Sequence, residues 1–278
     1  LNDVGDLTYP YEALDGDIEN IKMIVEDKHE ISSLIKNSKK PLIIFGQSIL
    51  KMKSAKYAFE SIKSFLNKNN KISNDWNSLN VISENASAVG SFDLGIYKTE
   101  DGTNEILKNL ENHKFDVVYL LGQDSLKFKK VNEFIIYQGS HGDKGAEMAD
   151  IILPGAAYTE QNGYFTNLEG KMQKAYKASF PPEEAKEDWL IINELAEVMN
   201  HRKLFNDKDE LDSSLLNQIN LHIEKNNSKE FFDIKDLKFD KEFLEIDKED
   251  YYYSNVIARA SKTMLEYKKT KINFNSAR

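Results

Sequence analysis

The chain has 278 residues, a length that fits one large domain or two small ones. Its 37 Lys and Arg residues against 46 Asp and Glu residues give a formal net charge of −9, which argues against a nucleic-acid groove because phosphate neutralisation needs clustered cations. Hydrophobic residues make up 40% of the chain, enough for a sizeable core. The lack of cysteine excludes disulfides, Cys-ligated zinc, Cys-ligated iron–sulfur clusters and a thiol nucleophile within these residues.

The start of the chain shows no targeting signal. It begins at Leu1 rather than Met, and no basic stretch followed by an apolar run comes after it. We therefore expect a processed chain or a fragment of a longer protein. No apolar run approaches the roughly 20 residues that a membrane-spanning helix needs.

Helices are predicted where apolar side chains recur every three or four residues. In the first part of the chain they cover residues 18–25 with Asp17 as N-cap, 31–35, 55–66, 76–89 and 106–110 with Thr103 as cap, and a loop covers 91–95. Further along they cover 188–199 with Trp189, Ile192, Leu195, Ala196 and Met199 facing inward, 211–222, and 256–267 with Ser254 as cap. The polar stretch 226–250 is predicted to be loop-rich.

Short apolar, β-branched runs predict four buried strands, at residues 42–46, 116–122, 133–139 and 149–154. Strands that alternate with helices indicate a mainly parallel sheet. The connection 140–148 leaves room for a helix of about two turns at most. The alternating segment 163–173 pivots on residues 167–170 and predicts a β-hairpin.

The five histidines, at positions 29, 113, 141, 201 and 222, form no pair at metal-ligand spacing. His141 follows a predicted strand in a Gly-rich loop, at the sheet edge where open α/β sheets bind ligands. It therefore either contacts a ligand or hydrogen-bonds the backbone of a turn. The glycine spacing fits neither a dinucleotide fingerprint nor a P-loop, and Lys144 is not followed by Ser or Thr, so no nucleotide site is predicted.

Other polar features allow a functional and a structural interpretation. The turns at 46–48 and 122–125 either present N–H groups to an anion or simply end two strands. Glu160 and Glu169 form either a carboxylate pair or turn supports. Five tyrosines are expected to pack against neighbouring side chains rather than to bind a ligand: Tyr158, Tyr164, Tyr251, Tyr252 and Tyr253. The residues alone thus predict no catalytic, cofactor-binding or metal-binding side chain.

Three segments, 134–146, 149–160 and 163–173, are less generic. They strongly resemble the C-terminal, molybdopterin-oxidoreductase-like domain of the large iron–sulfur subunit of respiratory complex I, the NADH–quinone oxidoreductase. The resemblance continues at 6–11, 39–46, 120–122, 187–189 and 250–264, whereas 203–250 matches poorly. Segment 149–173 is shared with true molybdopterin enzymes, and 138–143 and 259–264 favour the complex I branch.

Pattern and resemblance together predict an α/β fold. It comprises a mainly parallel, Rossmann-like sheet with flanking helices, a small β-hairpin region and a helical, loop-rich C-terminal part. The predicted domains are residues 1–180, the molybdopterin-oxidoreductase-like domain, and 181–278, an extension packed on it. The resemblance implies further strands before Leu1, so we expect an exposed apolar sheet edge.

The resemblance also implies a function. The chain is expected to be a scaffold portion of the NADH–quinone oxidoreductase peripheral arm, with no cofactor of its own and the iron–sulfur clusters in an N-terminal part of the parent subunit. Expected partners are other peripheral-arm subunits, without nucleic acid or direct membrane insertion, at the cytoplasmic face of a bacterial inner membrane or the mitochondrial matrix side. Lys171 stands where relatives usually carry Arg, so any bidentate contact with an anion is weakened there.

Two alternatives remain open. The first is an active molybdopterin-dependent dehydrogenase resembling formate dehydrogenase, which needs pterin contacts from the strand-end loops and a metal ligand upstream. The second is a non-enzymatic assembly domain whose basic tail, from Arg259 onward, docks on an acidic neighbour.

Overall fold

The protein, described here from a computed structural model, has a mixed α/β fold with parallel sheets. The structure describes residues 8–83, 85–96, 102–126, 128–226, 237–243 and 251–276. The chain forms two compact units. The N-terminal unit comprises Leu1–Val89 and Asn226–Lys248, and the C-terminal unit comprises Gly90–Lys225 and Glu249–Arg278. The domain boundary expected at residue 180 stays a prediction.

The N-terminal unit packs helices around a short parallel strand pair. Its elements are α1 (Glu19–Val25), α2 (Glu30–Asn37), β1 (Ile43–Gly46), α3 (Gln47–Leu50), α4 (Ala55–Lys68) and β2 (Leu79–Ile82). Strand β1 pairs with β2 so that Ile43 lies opposite Leu79. The core is formed by the inward faces of these elements, where Ile18, Ala58 and Leu66 are fully buried.

The helix predicted for residues 76–89 is wrong, because residues 79–82 form β2 instead. Leu79 is buried and Val81 partly buried, so the run also satisfies the two-residue period of a strand. Pairing with β1 decides between the two patterns. Trp76 precedes the strand, and its Nε1 donates to the Pro41 carbonyl at 2.9 Å. The loop predicted at 91–95 is partly wrong, since a short helix α5 (Ala88–Asp93) ends within it.

The C-terminal unit contains the larger sheet. Its elements after α5 are α6 (Gly102–Glu111), β3 (Val117–Leu121), β4 (Phe134–Gly139), α7 (Lys144–Met148), β5 (Ile151–Pro154), β6 (Gly163–Thr166), β7 (Met172–Ala175), α8 (Asp188–Asn200), α9 (Lys208–Asn226), α10 (Val256–Ala260) and α11 (Lys262–Ser276). Strands β3, β4 and β5 lie side by side in that order and are all parallel. Strands β6 and β7 form the predicted antiparallel hairpin.

Strand β4 is the centre of this sheet. Ile135 and Gln138 are fully inaccessible on it, and Tyr137 is nearly so. Apolar side chains on the two outer strands are exposed instead, with Val117 at 57% and Ile152 at 54%. The two outer strands of this sheet therefore present apolar side chains to solvent.

The C-terminal helices differ from their predicted faces and caps. On α8, Met199 is 69% exposed, whereas Asn193 is buried, and its amide is satisfied by the backbone of Leu204 and Phe205. The predicted cap Ser254 is wrong, since the Asn255 carboxamide oxygen accepts from the Ala258 N–H at 2.8 Å. The single helix expected there is split into α10 and α11 at Ser261.

The helix caps predicted at Asp17 and Thr103 have different outcomes. The Asp17 carboxylate accepts from the Glu19 N–H at 2.9 Å, so it supports the start of α1 from one residue outside the N-cap position. Helix α6 begins at Gly102, so Thr103 lies inside the helix and is not its cap. Most of the stretch 226–250 lies outside the described residues.

A buried carboxylate connects the end of α6 to the start of β4. One oxygen of Glu133 lies 2.7 Å from Nδ1 of His113, and the other accepts the N–H groups of Val131 and Asn132 at 2.7 and 3.1 Å. The backbone donors, first among them Val131, together with the His113 ring lower the pKa of Glu133 from 4.5 to about 2. The folded chain therefore stabilises the ionised form of Glu133 relative to the unfolded chain.

This pKa shift predicts an acid-dependent loss of stability. Because the folded pKa lies below the unfolded one, the Glu133 contribution is fully present above pH 4.5 and disappears as the pH falls towards 2. We expect Glu133→Gln to be less stable than the parent at pH 7 and the gap to narrow steadily below pH 4.5. Urea denaturation midpoints across this pH range measure the gap. The exposed Glu147→Gln is the control, and a Glu133→Gln gap that stays constant with pH would contradict the assignment.

Candidate functional site

A cavity of about 450 Å³ opens at the carboxyl ends of β4 and β5 in the C-terminal unit. Parallel strands end together at this edge, where open α/β sheets commonly bind ligands. The cavity is lined by residues 139–141 and 154–155, Ala157, Glu160 and residues 182–185. The predicted loop after β4 and the segment after β5 thus both contribute to one site, whereas the predicted turn at 122–125 is not part of its lining.

The base of this region is a buried hydrogen-bond network centred on Gln138. Its Nε2 donates to the Asp188 carboxylate at 2.7 Å, and its Oε1 accepts from the Tyr119 hydroxyl. The second Asp188 oxygen accepts from Nε2 of Gln161 at 3.1 Å. The side-chain groups of Gln138 and Asp188 are therefore engaged with each other and with neighbours rather than directed at a ligand.

Gly155 allows the strand end to approach this network closely. A Cβ at that position would lie 2.8 Å from Asp188 Oδ1 and 3.5 Å from the backbone of Gly139. The next residue, Ala156, donates its N–H to the Lys186 carbonyl at 2.8 Å, which fixes the strand end against the segment that leads into α8. The wall of the cavity at Gly155 is consequently closely packed.

The loop after β4 is held from two sides. The Tyr137 hydroxyl donates to Asp124 and lies 2.9 Å from the His141 carbonyl, and burial followed by the Asp124 interaction raises the pKa of this phenol. On the other side, Arg259 Nε of α10 donates to Asp143 at 2.5 Å. Burial raises the pKa of Asp143, but the Arg259 contact, the Lys144 N–H and the charges of both residues together lower it below its usual value. The loop is therefore held by side chains that are not among the lining residues of the cavity.

The charge of the cavity is negative. Glu160, Glu183 and Glu184 line it, and neither Lys nor Arg is among its lining residues. His141 also lines it, and its Nδ1 lies 2.9 Å from the Ser140 hydroxyl. A site of this charge disfavours anionic ligands such as phosphates.

The remaining candidates are dispersed. Glu160 accepts the Ala157 N–H at 2.9 Å, which is the second of the two roles open for it, a turn support, and Glu169 lies in the hairpin turn rather than in the cavity lining. The turn at 46–48 belongs to the N-terminal unit and runs into α3. Packing was the wrong expectation for Tyr158, which is 66% exposed. The sequence analysis did not identify Gln138 or Asp188 as partners. For Gln138 a signal was available, because an amide side chain stands within an otherwise apolar strand.

A second cavity, of about 420 Å³, lies within the N-terminal unit between its first two helices and β1. Its lining is aliphatic and aromatic apart from Gly46 and Ser48, and includes Ile21, Ile35 and Ile44. Since none of its lining residues is titratable, this cavity has none of the acid–base or metal-ligating groups that a catalytic site uses.

Known proteins resemble this chain over most of its length. A family model described as "Molybdopterin oxidoreductase" matches residues 1–198. The chain is 36% identical over 272 residues to the NADH-ubiquinone oxidoreductase 75 kDa subunit of Reclinomonas americana, which covers 93% of this chain and 38% of that protein. It is 37% identical over 262 residues to an NADH-quinone oxidoreductase subunit of Rickettsia bellii, covering 92% of this chain and 37% of that protein.

A plant protein gives a shorter match. The mitochondrial NADH dehydrogenase (ubiquinone) iron-sulfur protein 1 of Solanum tuberosum is 36% identical over 195 residues, 69% of this chain and 25% of its own length. The chain therefore spans less than two fifths of the length of these relatives. Because the family model covers well over half of the 278 residues, the chain belongs to the molybdopterin oxidoreductase family.

Proposed function

We propose that the chain is a scaffold portion of the large iron–sulfur subunit in the peripheral arm of an NADH–quinone oxidoreductase, respiratory complex I. It supports electron transfer from NADH to quinone without holding a redox centre itself. The observation that carries this proposal is the similarity to complex I subunits from a protist and a bacterium, which extends over more than nine tenths of the chain. The family model alone also fits molybdopterin-dependent dehydrogenases, whereas these relatives favour complex I.

The family implies a molybdopterin, and the strand-end cavity is where such a group would bind. The residues present there do not fit it. A pterin cofactor carries phosphate, yet the lining offers three carboxylates and no Lys or Arg. The amides of Gln138 and Gln161 are already bonded to Asp188. We therefore assign no chemical step to such a group.

The side chains of the C-terminal unit instead support a structural role. Electron tunnelling needs a redox centre, and a chain without cysteine supplies none of the thiolate ligands of an iron–sulfur cluster. Among the described residues, no group of three or more His, Asp or Glu side chains is arranged to hold a metal ion. These side chains instead connect elements of the unit: Asp188 accepts a hydrogen bond from Gln138 of β4, and Arg259 donates one to Asp143 in the loop after β4.

The finer placement of the chain belongs to the same proposal. The consecutive parallel order of β3, β4 and β5 supports a Rossmann-like sheet, and the partners are other peripheral-arm subunits. No helix in the described parts of the chain is both long and apolar enough to cross a membrane. We place the chain at the cytoplasmic face of a bacterial inner membrane, or at the matrix side in a mitochondrion, as a peripheral part.

Cofactor analysis of the purified chain tests the scaffold role. The chain is purified from cells that make molybdopterin, denatured in acid, and examined for fluorescent oxidised pterin and for molybdenum and iron by mass spectrometry. We expect all three to lie far below one equivalent per chain. Stoichiometric pterin and molybdenum, together with formate oxidation, would instead favour an active dehydrogenase.

A further inference from the structure

Residues 237–243, which we call the strap, belong to the N-terminal unit although they follow most of the C-terminal unit in the chain. They lie in the stretch that matched the family poorly by sequence. The hydrogen bonds between the strap and Ser54 join residues 186 and 188 positions apart. The N-terminal unit is therefore built from two distant parts of the sequence.

The aromatic part of the strap packs on the core of the unit. The Phe239 ring lies edge-on to Tyr57 of α4 with ring centroids 4.9 Å apart. The Lys22 ammonium of α1 lies 5.0 Å from the Phe239 ring centroid. Phe239 also contacts the buried cluster that contains Ile18 and Leu66. It thus bridges α1 and α4 with apolar surface.

The polar part of the strap satisfies the start of α4. Ser54 is fully buried, and its hydroxyl donates to the Asp240 carbonyl at 2.9 Å and accepts the Asp240 N–H at 2.8 Å. Its own N–H donates to the Glu242 carboxylate at 2.8 Å. A carboxylate that receives an N–H at the beginning of a helix is stabilising, and without it this buried donor loses its partner.

The strap also pairs with the segment before α1. Ile18 donates its N–H to the Glu242 carbonyl at 3.2 Å, and Asp17 forms an antiparallel bridge with Phe243. The Lys241 ammonium lies 2.8 Å from Glu19 and 3.4 Å from Asp17. Backbone, aromatic and ionic contacts therefore converge from one seven-residue segment on both helices.

We propose that the strap is a noncovalent clasp whose docking completes the N-terminal unit. Undocking exposes Ser54 and the α1–α4 face. The N-terminal unit is therefore complete only when the strap, which follows most of the C-terminal unit in the sequence, has docked on it. Because the clasp relies on a few residues, its opening is local: α1 and α4 lose protection while β4 keeps it.

Hydrogen exchange of the full 278-residue chain tests the clasp. In Phe239→Ala, amide exchange in α1 and α4 should rise at least about tenfold, while exchange in β4 stays unchanged. A milder variant, Glu242→Gln, removes only the charge at the start of α4 and should raise exchange of the same amides about threefold. It keeps the test decisive if Phe239→Ala does not fold.

The matched control is Phe180→Ala, the same change at a ring that is 78% exposed in the C-terminal unit. It should leave exchange in α1 and α4 as in the parent. Adding a synthetic peptide of residues 237–243 to a chain whose strap is replaced by Gly and Ser should restore protection of α4. Unchanged α1 and α4 exchange in both strap variants, or an equal rise in β4, would overturn the proposal.

Discussion

Gln138→Leu is expected to lower the free energy of unfolding of the C-terminal unit by about 2–4 kcal/mol, the sum of a lost bond to a charged group and a lost neutral one. The substitution keeps the side-chain size but removes the amide that bonds Asp188 at 2.7 Å. It also removes the acceptor of the Tyr119 hydroxyl. Because Gln138 is fully buried, water does not replace these contacts. Urea denaturation followed by circular dichroism measures the loss.

Gln173→Leu provides the control for this effect. This control makes the same Gln-to-Leu substitution on strand β7, where the side chain of Gln173 is exposed. We expect a change within about 0.5 kcal/mol there, as for most surface substitutions. Equal midpoints for Gln138→Leu and Gln173→Leu would show that the buried network does not hold the sheet to α8.

The second large effect is expected for Arg259→Ala, which should destabilise the C-terminal unit by about 2 kcal/mol. The pair with Asp143 is mostly shielded, with side-chain exposures of 20% and 17%, so removing the cation leaves a largely buried carboxylate without its main partner. The loss should grow as the pH rises through the Asp143 pKa, because Arg259 holds that pKa below its usual value.

Hydrogen exchange locates this effect within the unit. Exchange should rise in the loop after β4 and in α10, the two segments that the pair joins. Arg202→Ala, at an exposed arginine of the same unit, is the control and should alter neither segment. If both arginine variants behave alike at pH 7, the pair does not fix the loop.

The sequence predicted the parallel sheet well for a physical reason. Strands β3, β4 and β5 are short β-branched runs, and such runs are typical of strands buried in a parallel sheet. The hairpin was equally clear, because residues 167–170 form a tight turn. Strand β2 was missed because its apolar spacing also fits a helix, and only its partner β1 distinguishes the two.

The buried network and the strap were beyond sequence reasoning for another reason. Asp188 at the start of a helix is typical of a cap, and nothing local indicates that it bonds Gln138, fifty residues earlier in the chain. Ser54 and Glu242 are further apart still. Contacts of this range depend on the assembled fold, and isolated polar residues give no periodic signal for them.

Affinity purification of the tagged protein from the membranes of its own cells tests the central claim most directly. We expect it to migrate on a native gel in a large assembly that oxidises NADH and reduces quinone, with the other peripheral-arm subunits identified by mass spectrometry. A chain that migrates apart from every NADH-oxidising assembly, or that copurifies with molybdenum and formate-oxidising activity, would contradict the account.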